Sequence, residues 1–157
     1  MKKFFFDCGT RDATASLGFL VLRMLVGLMM LIGHGIPKIE NYAVYQKAFY
    51  VPDIFPLSLM SHSTSLIACI AAEAAASILI ILGFATRPAA FLLGFSMVVA
   101  AFGAHGSAPW FQAGATPMAT KELALMYLIP ILAIILAGAG AYSLDAAIYK
   151  DSRRRRW

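Results

Sequence analysis

The stretch LGFLVLRMLVGLMMLIGHGIPK, from Leu17 to Lys38, constrains this chain more than any other, because it sets an arginine inside an apolar run long enough to cross a membrane. At a rise of about 1.5 Å per residue, Leu17–Ile36 covers about 30 Å, the thickness of a bilayer's hydrocarbon core. Arg23 lies about 9 Å in from the start of that run, where a charge costs about 3 kcal/mol, and more if it faces lipid. It must be paired or hydrated. Arg23, Gly27, Met30, His34 and Lys38 follow one another at spacings of 4, 3, 4 and 4 residues, which keeps all five on one helical stripe. The predicted helix therefore has a polar, notched inner face and a lipid face of Leu, Val and Phe.

Three more apolar runs follow, at Ser65–Phe84, Pro88–His105 and Leu123–Tyr142. With 61% hydrophobic residues in 157, the chain has the composition of a membrane protein and no length left over for a globular domain. The expected fold is all-α, a polytopic four-helix transmembrane bundle: residues 1–16 a cytoplasmic lead-in, 17–145 the bundle and 146–157 a basic cytoplasmic tail. The first run is not a signal peptide by its pattern. It is too long for an h-region, Asp7 and Asp12 dilute the n-region, and no small-x-small site follows before His34. Cys8 and Cys69 form neither a C-x-x-C pair nor an evident disulfide, which speaks against dithiol chemistry by this chain and against cysteine-held haem or iron–sulfur clusters.

The net charge of +5 resembles a nucleic-acid signal until its distribution is followed. With four spans, both termini and the middle turn share one side and hold Lys2, Lys3, Arg11, Arg87, Lys150 and Arg153–Arg156, against Lys38, Lys47 and Lys121 on the other. That bias puts both termini in the cytoplasm of a bacterial inner membrane. The closing RRRRW then reads as an anchor to anionic lipid, with Trp157 at headgroup depth, and nucleic acid is not an expected partner.

Between the first two runs, Pro37 is expected to end the helix or turn the chain, and residues 38–64 carry Tyr42, Tyr45, Phe49, Tyr50 and Phe55, the makings of a segment that lies on the membrane surface or caps the bundle. In the second run Glu73 shares a helix face with Cys69 and Ser77 and has to face inward, either ionised against a cation or protonated. The ATRP turn at Ala85–Pro88 and Asp145 fall at the cytoplasmic surface, where Arg87 and Asp145 read as structural. The last run contains Pro130, a kink signal, and closes on AGAGA.

Counted by helical rise from the outer surface, His34, His105 and Glu122 lie near the edge, Glu73 about 12 Å down and Arg23 about 20 Å down. Long side chains can cover much of that gap, so an Arg23–Glu73 pair, direct or through one water, is expected. Above it, His34, Glu73, His105, Glu122 and Tyr127 are the candidate ligand-binding residues, because histidines that titrate near neutral pH can donate to a carbonyl and a carboxylate can orient them or relay the proton. The alternative is structural: a register lock with rim residues capping helix ends. No His-x3-His or H-E-x-x-H spacing supports a metal site.

These residues together resemble the DoxX family of small bacterial four-helix membrane proteins. The likeness rests on Arg23, Gly27 and HGIPK (His34–Lys38), on Glu73 and LGFATRPA (Leu82–Ala89), on His105, on KELALMYL (Lys121–Leu128) and on GAGAYSLD (Gly138–Asp145). The family is similar to the membrane subunit of thiosulfate:quinone oxidoreductase, and mycobacterial members are associated with a complex that includes superoxide dismutase and a sulfurtransferase. The resemblance implies a redox or oxidative-stress setting and does not by itself place chemistry. The leading expectation is a membrane subunit or scaffold of a redox system that binds a quinone, the one candidate cofactor, or a small sulfur compound. A small-solute transporter and a purely structural partner-binding protein stay open, as does whether the chain is an enzyme. Expected partners are the lipid bilayer, membrane or peripheral redox proteins, and further copies of the chain.

Overall fold

The computed structural model describes residues 12–113 and 118–148, and every regular element among them is helical. Phe4–Phe6, Cys8 and the basic tail from Lys150 to Trp157 lie outside the described residues. Four helices carry the fold: α1 (Ala13–Glu40), α2 (His62–Leu82), α3 (Thr86–Ala104) and α4 (Glu122–Ala137). The first three are long and apolar enough to cross a membrane, and α4 is an apolar helix of 16 residues. Val21, Leu25, Met29 and Ile32 on α1 and Phe91, Phe95 and Phe102 on α3 are large, apolar and exposed. Such an outer surface fits lipid, not water, and the chain is a helical membrane protein.

α1 starts four residues earlier than the apolar run, because the Asp12 carboxylate caps it by accepting from the Ala15 N–H at 2.7 Å. It also runs past Pro37, where the sequence predicts a stop. The turn Leu31–Gly35 is π-helical, and Ile36 N–H bonds back five residues to Leu31. This wider turn precedes Pro37, whose ring would crowd the carbonyl four residues back in a regular α-helix. The extra residue also shifts the inner stripe, so that Gly35, not His34, is the fully buried position. Gly35 lies against Ala74 so closely that a Cβ there would come within 3.0 Å of the alanine's own. Ala74 is in the matching π-turn of α2, Ala71–Ala75, and α3 ends in a third, Ala100–Ala104.

The end of the bundle that holds the α2–α3 turn is tightly closed. Gly83 and Ala85 both adopt left-handed backbone, φ +67° and +46°, and Asp145 holds the turn from outside. Its carboxylate, 1% exposed, accepts from Ala85 N–H at 2.8 Å and Thr86 N–H at 2.9 Å, while its own N–H donates to Gly83 O. Ala85 has no side chain to cap α3, and Asp145 supplies the cap in its place. Arg87 donates to Leu136 O at 3.3 Å.

The small-residue run AGAGA does not continue α4. The helix ends at Ala137, and Gly138 and Gly140 take φ of +85° and +76°, values that glycine alone adopts readily. Gly140 passes close to α1, where a Cβ would sit 3.2 Å from Ser16 O. Pro130 is accommodated within α4. Between the helices the core is Met30, Ile80, Leu93, Met97, Ile131 and Ile134, interleaved with alanines that let the backbones approach. α3 and α4 pack along their length, whereas α2 and α3 touch through their turn-side halves and part towards the opposite end.

Candidate functional site

The space left where α2 parts from α3 is a cavity of about 660 Å³, walled by all four helices and covered by parts of the loops that join α1 to α2 and α3 to α4. Its surface is mostly apolar. The polar groups come from all four helices. Lys38 forms an ion pair with Glu73, whose other carboxylate oxygen accepts from the Cys69 thiol at 3.3 Å. The His34 ring meets Tyr127 edge-on, ring centroids 5.6 Å apart at 90°. Ser65, Ser96, His105 and Thr120 add to the polar lining.

Glu73 is 4% exposed, and it is neutralised by Lys38, not by Arg23. The expected Arg23–Glu73 pair is thus corrected by side-chain direction. Helical side chains lean towards their helix's N-terminus, so Arg23 extends away from Glu73 while Lys38, near the end of α1, leans back towards it. Arg23 instead donates to Ile80 O at 3.1 Å, Ile81 O at 2.7 Å and Tyr142 O, placing its charge on the C-terminal carbonyls of α2. The glycine break after α4 is what brings the Tyr142 carbonyl there.

Four of the five ligand-site candidates, His34, Glu73, His105 and Tyr127, line this one cavity. Glu122 does not. Its carboxylate accepts from Gln112 N–H at 2.9 Å and fastens the α3–α4 loop, beside Lys121, which is 8% exposed and sits 5.0 Å over the Trp110 ring. Arg87 and Asp145 are at the closed end, away from the cavity. Two groups that the sequence reading left out of the site belong to it: Lys38, already visible on the α1 stripe four residues after His34, and Cys69, four residues before Glu73. The aromatic loop contributes a third part. Tyr50 O accepts from Ser65 Oγ at 2.7 Å, and the Tyr50 ring covers Gly103 so closely that a Cβ there would lie 2.7 Å from the phenol oxygen. Among the described residues no three His, Cys, Asp or Glu side chains gather as metal ligands.

Residues 18–106, more than half of the chain, match the family described as DoxX. The chain belongs to the DoxX family. The matched stretch of this DoxX protein contains the residues α1, α2 and α3 bring to the cavity, including His34, Lys38, Cys69, Glu73 and His105, while Tyr127 on α4 lies beyond it. An uncharacterized protein of Haemophilus influenzae is 42% identical over 81 residues, 50% of this chain and 58% of the relative's own length. No solved structure matches the DoxX chain.

Proposed function

We propose that this DoxX protein is a four-span protein of the bacterial inner membrane, termini in the cytoplasm, whose cavity binds the ring of a quinone and which serves as a membrane subunit of a redox system. The observation that carries the reading is the composition of the cavity: an apolar chamber inside the bundle with Lys38–Glu73 and His34–Tyr127 at its polar end. A quinone ring needs that combination. Its carbonyls need donors, which the Lys38 ammonium and the His34 ring can supply. Because Lys38 and Glu73 cancel in charge, the site suits a neutral ring better than a charged sulfur anion.

The fourth span rests on α4, whose 16 residues cover about 24 Å. The transporter reading is less well supported. The closed half of the bundle is filled by Met30, Ile80, Leu93, Ile131 and Ile134, each 1% exposed or less, which favours a dead-ended site over a through-path. The test is native purification in mild detergent with mass spectrometry of co-extracted lipids. A quinone retained by the wild type and lost from His34→Gln/His105→Gln supports the proposal; equal retention by both, or none in either, contradicts it.

A further inference from the structure

We infer that the cavity is loaded sideways from the bilayer, through the gap between α2 and α3, and that its occupant keeps an apolar tail in that gap. The inference rests on the ring-binding reading above. The gap exists because α2 and α3 pack only over their turn-side halves. Ala68 and Ala72 of α2 and Leu92 and Phe95 of α3 all line the cavity. Leu92 and Phe95 are also 55% and 48% exposed and share a helix stripe with the exposed Phe91, Val98 and Phe102, none of which lines the cavity, and Ala68 is exposed as well. One set of side chains is therefore both cavity wall and outer surface, which is what a mouth is.

Its position decides what can use it. By helical rise these residues lie about 9 to 18 Å in from the helix ends that carry the long loops, within the apolar stretch that faces hydrocarbon. The loop-covered end is more obstructed: Pro52 is buried, Tyr50 is tied to Ser65 and its ring lies on Gly103. A molecule entering by the flank comes out of lipid. Its tail gains little by exchanging lipid for protein, since both are apolar, so the gap has only to leave room. Two alanines on one wall leave that room, and the polar groups beyond them set the ring end.

The experiment uses the full-length protein in detergent and compares two probes, decyl-substituted benzoquinone and its methyl-substituted counterpart, against wild type and Ala68→Trp. Ala68 is exposed, so the indole fills the mouth without overpacking the core. The expected result is that both probes bind the wild type, and that Ala68→Trp loses about tenfold or more in affinity for the decyl compound, because its tail is forced against the new side chain, while binding the methyl compound as before. Equal binding of both probes by Ala68→Trp and wild type overturns the lateral entry but leaves the ring site standing. Loss of both probes alike places the block inside the ring site and likewise overturns the mouth. Failure of both probes to bind wild type overturns the ring-binding reading itself and the entry route with it, whereas binding of the methyl compound alone overturns only the mouth.

Discussion

Lys38, near the end of α1, is ion-paired with Glu73 in the π-turn of α2, so the carboxylate buried in the bundle is neutralised from the end that carries the long loops. The side chains are 19% and 6% exposed, and the pair lies on the wall of the cavity. Replacing either partner leaves a buried charge unmatched.

Lys38→Met and Glu73→Met should therefore each destabilise the protein by about 3 kcal/mol or more, and the double variant should cost clearly less than their sum. Arg23→Met combined with Glu73→Met, by contrast, should be additive within about 0.5 kcal/mol, since Arg23 bonds to the carbonyls at the far end of α2. Unfolding of the detergent-solubilised variants measures both cycles. Coupling between Arg23 and Glu73, with none between Lys38 and Glu73, would contradict the geometry.

The closed end makes its own prediction. Asp145→Ala removes both acceptors that cap α3 and should cost about 1–2 kcal/mol. Gly83→Ala should cost at least about as much, because a left-handed position penalises a Cβ by about 1–2 kcal/mol and this Cβ would collide with the Arg23 guanidinium. Neither variant should alter ligand binding, since neither residue lines the cavity. A thermal melt and a binding assay on the same samples separate the two effects.

The apolar runs and their inner stripe made the helices legible in the sequence, and they made Glu73 an inward-facing residue before any geometry was known. Three things were not legible, each for a physical reason. A π-turn adds one residue to a helical period, and nothing in LIGHG or AAEAA marks where it falls. Depth counted along a helix axis ignores the lean of side chains, which turned Arg23 from a partner of Glu73 into a clamp on α2. Alanine–glycine runs serve both close-packed helices and breaks, and here positive φ at Gly138 and Gly140 decided for the break. Of the cavity, His34, Glu73, His105 and Tyr127 could be picked out by type and depth, whereas Glu122 has the same type and depth but is used by a loop backbone.

The aromatic loop supplies a test of the cover. In a Cys8→Ser background, Gly103→Val drives a side chain into the space held by the Tyr50 ring, so Cys69 inside the cavity should react several-fold faster with a polar maleimide added to the detergent-solubilised protein. An unchanged rate would show that Tyr50 does not close that end.

The proposed orientation follows from the nine basic residues on the terminal side against three on the other. A green fluorescent reporter fused to the C-terminus should be bright and an alkaline phosphatase fused there inactive. The reverse pattern would invert the topology.

The central claim, a quinone ring held between Lys38–Glu73 and His34–Tyr127, is tested most directly by equilibrium titration of the purified full-length protein with methyl-substituted benzoquinone. The account predicts saturable binding at one site per chain, weakened about fivefold to tenfold in His34→Phe, which preserves the ring edge against Tyr127 but removes the donor. Binding that never saturates, or that is the same in wild type and His34→Phe, would contradict it.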